Sequence, residues 1–150
     1  MQKMTILILS IAIISMTACN KKSISKSKVP DKVMVSFKEK FPDIKNEKWE
    51  MIDSNIYEAS FKLNDKEMYV DYRESGEWLE TEYKIEKSEL PQSVSLVVEN
   101  EFVTYTAEEY RKVDSEQHGE CYHVKLKKDS ETMWILLSEN GVVLNKRMID

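Results

Sequence analysis

Tyr57-Glu58-Ala59-Ser60-Phe61-Lys62-Leu63-Asn64-Asp65-Lys66-Glu67-Met68-Tyr69-Val70-Asp71-Tyr72 is the stretch that decides the fold. Tyr57, Ala59, Phe61 and Leu63 alternate with Glu58, Ser60, Lys62 and Asn64, the period of two that marks a half-buried strand. Met68, Val70 and Tyr72 alternate in the same way with Tyr69, Asp71 and Arg73. A two-residue turn at Asn64-Asp65 sets Phe61 against Met68, Ala59 against Val70 and Tyr57 against Tyr72, so all six side chains share one face. A second turn at Ser75-Gly76 extends the meander and sets Tyr72 against Leu79. One register satisfies every pair, and register is fixed most firmly where one face is buried.

Working outward, the unit recurs. Val29-Pro30-Asp31-Lys32-Val33 returns as Leu90-Pro91-Gln92-Ser93-Val94, and Phe37 and Phe41 return as Val98 and Phe102. Phe61-Lys62-Leu63 matches Val124-Lys125-Leu126, Met68-Tyr69-Val70 matches Met133-Trp134-Ile135, and Glu74-Ser75-Gly76 matches Glu139-Asn140-Gly141. Each copy opens with a proline suited to a first helical position and an apolar residue at every fourth place, hence a helix. Asn140-Gly141 is a strong hairpin signal, and weaker strands are expected around Glu47–Asp53 and Glu108–Asp114. The expected fold is α+β: two tandem repeats, 29–89 and 90–150, each a helix plus an antiparallel β-meander of about four strands. The helices are expected on one sheet face. Units this short are marginal alone, so one shared core is expected.

The chain ahead of the repeats differs in kind. Lys3 is followed by an uncharged apolar run, Met4 to Ala18, too short to span a bilayer as a helix. A charged start, an apolar stretch and small residues at its end describe a signal peptide over 1–18. Met16-Thr17-Ala18-Cys19 resembles a bacterial lipoprotein processing box, which implies lipidation of Cys19. Residues 19–28 hold lysines and serines with Ile24 as the one large apolar residue, and read as a flexible tether. Lipoproteins displayed on the cell surface often carry acidic residues at that place. The basic tether therefore favours an outer-membrane anchor facing the periplasm.

Charge narrows the partners. Of 150 residues 33% are charged, with a net charge of −5. Setting aside the five lysines of residues 1–28 leaves 17 Lys+Arg against 27 Asp+Glu, a formal −10 for the repeats. Such a surface is a poor match for nucleic acid, whose binding rests on neutralised phosphates. Three glycines in all make a glycine-lined phosphate loop untenable.

The chemistry-bearing residues are few. His118, Cys121 and His123 lie close in sequence, and Cys121 and His123 share a strand face. Cysteine and histidine are zinc or copper ligands, but the set lacks a fourth member, and a Cys–His nucleophile needs an orienting third group. Asp71 and Glu80 oppose each other across the Ser75-Gly76 hairpin with Glu58 near. Paired acids can do acid–base work, yet on the polar face of a meander they read as solvated charges. No catalytic residues, metal or cofactor are therefore assigned. The outward face is more telling. The register sends Tyr69, Arg73 and Trp78 there in the first repeat, and Trp134 and Leu136 in the second, with Arg147 opposite Trp134. Aromatic residues and arginine are enriched in binding hot spots. These five are the candidate partner-binding residues, although packing within the chain would also use them.

Val-Pro-x-x-Val at 29–33, Phe37, Phe41-Pro42, Trp49-Glu50, Tyr57-Glu58-Ala59-x-Phe61, Gly76-Glu77-Trp78-Leu79-Glu80-Thr81-Glu82 and the restart at Leu90-Pro91 together resemble the PepSY-like, beta-lactamase-inhibitor-like family of bacterial envelope proteins. The resemblance covers about 29–150 and implies a two-repeat α+β fold, with no catalytic residues to carry over. Taken together these features predict a non-enzymatic, lipid-anchored envelope protein that binds a protein or peptide, as a peptidase inhibitor or assembly factor. The alternative is a periplasmic small-molecule or metal-binding sensor or carrier.

Overall fold

The computed structural model describes residues 21–52 and 54–149. The signal peptide expected at 1–18 and the lipidation expected at Cys19 lie outside them. The described residues form two α-helices and nine strands in one antiparallel sheet whose spatial order follows the sequence. The order is β1 (Lys22–Ile24), α1 (Asp31–Lys40), β2 (Lys48–Ile52), β3 (Ile56–Leu63), β4 (Lys66–Arg73) and β5 (Trp78–Ile85), then α2 (Gln92–Glu101), β6 (Thr106–Ser115), β7 (Gly119–Lys128), β8 (Glu131–Ser138) and β9 (Val143–Ile149). A one-turn 3-10 helix precedes each α-helix. None of the described helices is long and apolar enough to cross a membrane.

The β3–β4 register pairs Phe61 with Met68, Ala59 with Val70 and Tyr57 with Tyr72. Asn64 and Asp65 both take positive φ, 51° and 63°, as a two-residue hairpin turn of matching twist requires. These strands put Tyr57, Ala59, Phe61, Val70 and Tyr72 with Trp49 of β2 against Val33 and Phe37 of α1. Phe37 is the hub, its ring 5.3 Å from Trp49 and 5.5 Å from Phe61. A second, separate cluster joins Val94 and Val98 of α2, and Phe102 just past its end, to Tyr122, Val124, Leu126, Met133, Ile135 and Leu137.

Two expectations are corrected. The segment read as a tether is structured from Lys21 onward: Lys22, Ser23 and Ile24 pair with Met51, Glu50 and Trp49. Composition argued against order there, but Ile24 packs on the first core and Lys26 pairs with the enclosed carboxylate of Glu47. The Ser75-Gly76 hairpin also departs from the simple register. Glu80 opposes Asp71 as expected, but Tyr72 then opposes Trp78, leaving Leu79 without a partner as a bulge. Trp78 is thereby turned to the helix side. It packs on the first core, lies under the Lys40 ammonium at 3.9 Å, and donates its indole N–H to Thr81. In β9 Leu144 is skipped in the same way, with Leu136 opposite Asn145 and Leu137 opposite Val143.

The two hairpin glycines dock the helices. A Cβ on Gly76 would stand 2.7 Å from the Lys32 carbonyl oxygen, and one on Gly141 would stand 2.8 Å from that of Ser93, at the matching place on α2. Ser36 donates to the Gly76 carbonyl at 2.7 Å, and Ser93 to that of Glu139 at 2.5 Å. Both glycines have φ above +80°. Gly119 also has positive φ, but nothing lies within 4 Å of its added Cβ. Gly119→Ala should therefore cost only backbone strain, about 1 kcal/mol, whereas Gly76→Ala and Gly141→Ala add a clash with helix backbone and should cost about 2–4 kcal/mol each. Urea unfolding of the three variants measures the difference; equal losses would refute the docking role.

Candidate functional site

Residues Lys21 and Ile52 from the first strands and Arg147 and Ile149 from the last line one cleft of about 480 Å³. A flat sheet of this many strands would separate its edges by roughly 38 Å, so the sheet curls, with the cleft on its concave side. The residues that face it are those that alternate with the helix-packed ones: Glu58, Asp71, Glu80, Glu82, Arg111 and His123 among them. The acids read from sequence as a solvated face are thus partly or fully withdrawn from water. Glu58 is 5% exposed and Glu82 8%. Alternation placed these side chains on the correct face, but the curl that encloses them is a property of the whole sheet.

Two ion-pair nodes organise the cleft. Glu82 accepts from Arg111 Nη1 at 2.9 Å through one carboxylate oxygen, and its other oxygen bonds His123 Nδ1 at 2.9 Å. Burial opposes the Glu82 charge, but these two partners outweigh it and hold the carboxyl down at about 2. His123 is likewise raised: burial works against its proton, and Glu82 overcomes it. The Arg111 guanidinium lies over the Tyr69 ring at 4.0 Å and the Trp134 ring at 4.6 Å, and bonds Glu109 at 2.6 Å. The second node is Lys21, which donates to both oxygens of Glu58 at 3.0 and 2.9 Å and lies 3.9 Å from Glu50.

The nodes occupy matching places with opposite signs. Glu50 and Glu58 are cross-strand partners bridged by Lys21, and Arg111 and His123 are cross-strand partners bridged by Glu82. Lys21 directly precedes β1, Glu82 lies within β5, and the two strands have equivalent registers. Ser23 opposes Glu50 in β1, and Lys84 opposes Arg111 in β5. Tyr69 and Trp134, the rings that sandwich Arg111, correspond as well.

The five candidate binding residues therefore separate. Tyr69 and Trp134 flank Arg111, and Trp134 lines the cleft opposite Arg147. Leu136 lines it too, buried with Val113 and Cys121 in a small cluster on the concave side. Arg73 lies at the hairpin end in an exposed pair with Glu77, and Trp78 faces the helices. Cys121 is fully buried, and burial pushes its thiol up to about 12, away from the thiolate a metal needs. His123 has a different potential ligand set: its ring and the carboxylates of Glu80 and Glu82 bring three donor atoms within 4.8 Å. A metal there would displace the His123–Glu82 bond. The residues that sequence reasoning missed are Lys21, Glu82 and Arg111. Their one available signal was the offset of 61 between repeats, at which Lys21 meets Glu82 and Glu50 meets Arg111. The match of Glu58 with His123 needs the structural register, in which Phe61 corresponds to Leu126 and not to Val124.

Asp71 and Glu80 remain as half-buried neighbours. Burial, then the charges of Glu58, Glu82 and Glu80, hold Asp71 well above the usual carboxylate range. Burial and the Glu82 charge push Glu80 up to about 7. A raised carboxyl binds its proton more tightly in the folded state, so stability falls as pH rises from 4.5 through 7. Glu80→Gln should leave stability unchanged near pH 4 and raise it by about 2 kcal/mol near pH 8, after discounting for partial exposure. Glu82 has the opposite sign: its contribution is complete above 4.5 and is lost as pH falls toward about 2. Glu82→Gln should cost about 3–5 kcal/mol at neutral pH by leaving Arg111 and His123 without their anion. Denaturant midpoints across pH test both, and a Glu80→Gln variant less stable than the parent near pH 8 would contradict the assignment.

The fold has known counterparts. A DUF2874 family protein from Bacteroides ovatus superposes with a TM-score of 0.65 at 20% identity, covering 79% of this chain and 86% of that one. A "putative periplasmic" protein from Bacteroides eggerthii gives 0.66 at 21%, covering 80% and 88%. A BLIP-like protein from Bacteroides fragilis gives 0.61 at 18%, covering 80% and 86%. At these identities the likeness is one of fold. No curated protein matches the chain. The model of the family described as "Putative beta-lactamase-inhibitor-like, PepSY-like" matches residues 12–73 and again 55–145. Its two matches span nearly the whole sequence, and the chain belongs to the PepSY-like family.

Proposed function

We propose that the protein is a non-enzymatic binding module of the bacterial envelope, anchored by lipid at Cys19 and facing the periplasm. It grips a protein or peptide segment on the concave sheet face, as a peptidase inhibitor or assembly factor. The observation that carries this is the cleft of about 480 Å³, floored by fixed charges and bordered by Trp134, Leu136, Leu144 and Ile149. An apolar wall with a few set polar groups is the usual composition of a recognition site. The likeness to a BLIP-like protein and to a "putative periplasmic" one supports the class and the compartment. The architecture is read as a duplicated unit of one helix and four strands, with both helices on the convex side and the concave side left for a partner.

A photo-crosslinking residue placed at Leu144, on the cleft rim, should trap a polypeptide in intact cells. The same residue at Val35, exposed on α1, should not. Adducts from both positions or from neither would sink the assignment of the face. Cys19→Ala should move the protein from the membrane to the soluble fraction, with loss of the lipid mass; unchanged partitioning would remove the anchor.

The metal-carrier reading is favoured by the single observation of the Glu80, Glu82 and His123 donor set. It requires stoichiometric zinc uptake that disappears in His123→Ala, and calorimetry with zinc alone decides it.

A further inference from the structure

The cleft's carboxylates are matched except in one place, and among the described residues Arg147, which also lines the cleft, pairs with none of them. Glu58 has Lys21, Glu82 has Arg111 and His123, and Glu109 has Arg111. Asp71 and Glu80 oppose each other directly across β4 and β5, and both line the cleft. Among the described residues neither forms an ion pair. Like charges opposite each other on adjacent strands are destabilising, and the low dielectric of an enclosed floor magnifies the effect. The pair meets part of that cost by holding its protons to higher pH, and a cation entering from outside would meet it with the carboxyls ionised. The cleft is open to solvent, and its volume suits one or two long side chains rather than a folded domain. Leu136, Leu144 and Trp134 offer an apolar wall of the kind along which an aliphatic stem lies while its charged head reaches a carboxylate.

We infer that the concave cleft takes an arginine or lysine side chain of a partner polypeptide, with its cationic head held between Asp71 and Glu80. This rests on the binding-module reading and adds the chemistry of what is bound. Arginine suits the place well, because its planar fork can donate to two carboxylates at once. The node at Glu82 then has a defined part. Glu82 bonds Arg111 and His123 directly, so His123 stands within 4.8 Å of Glu80 without forming an ion pair, which leaves Asp71 and Glu80 open to an incoming cation.

The test uses the full chain in detergent micelles and a displayed library of random peptides. Enriched sequences are expected to share an arginine or lysine at a fixed position. For one enriched peptide, the Asp71→Asn/Glu80→Gln variant should bind roughly tenfold or more weakly, the scale of a close charge pair. Replacing the basic residue of the peptide by glutamine should weaken binding to the parent protein by the same factor and have no further effect on the variant. That second change needs no protein mutation, so it stands even if the variant is altered in stability. Enriched peptides without a basic residue that bind the cleft, or affinity indifferent to both changes, would overturn the inference and leave the binding module standing. Failure of any peptide to enrich on well-folded protein would overturn both.

Discussion

The two hydrophobic cores do not merge. One gathers under α1 and the other under α2, and what joins them is the β5–β6 ladder with the side chains that lie across it. On the concave side that joint is fastened by Glu82 of β5, which holds Arg111 of β6 and His123 of β7 at once. Arg111 in turn lies between Tyr69 of β4 and Trp134 of β8. Five consecutive strands, two from one repeat and three from the next, are thus tied through one guanidinium. A buried ion pair seldom adds net stability against an apolar alternative, but removing one member is severe. The network's value is therefore in fixing how one repeat is set against the other, and with it the shape of the cleft.

That network has a counterpart of opposite sign. At the outer edge, Lys21 bridges Glu50 and Glu58 where Glu82 bridges Arg111 and His123. Each node is a pair of like charges held together by an opposite one, and the second inverts every sign of the first. The pattern is allowed because what a curled, partly dry face needs there is an opposite charge between two like ones, and either polarity provides it. It also explains why the chain must be structured as far back as Lys21. Without Lys21, two carboxylates on β2 and β3 would face each other unpaired.

The sequence made the β3–β4 hairpin legible because alternation and turn chemistry are local. Asn64-Asp65 and the apolar residues on both sides of it specify one register without reference to anything distant. The repeat was legible for the same reason, since proline, apolar stripe and hairpin glycine recur in order. Trp78 was misplaced because a single bulged residue, Leu79, reverses the face of what precedes it, and leucine at that position carries no bulge signal. The structured Lys22–Ile24 strand escaped notice because its support is remote: an open strand edge at β2 and carboxylates at 47, 50 and 58. Burial of Glu58, Asp71 and Glu80 was hidden for a related reason. Polar side chains facing away from a core look solvated until the sheet curls over them.

That curl separates the two sheet faces by the kind of force that satisfies them. Where α1 and α2 pack on the sheet, apolar contact settles the structure, and it is non-directional and tolerant of exchange among Val, Leu and Phe. The concave side is settled by charge, which requires partners of defined sign at defined distance, and there the accounting leaves Asp71 and Glu80 over. A fold selected for stability alone would replace such a pair with amides or apolar residues at no loss elsewhere. Its presence at the floor of an open cleft, where Arg147 pairs with neither carboxylate, makes that place complementary to an incoming basic group.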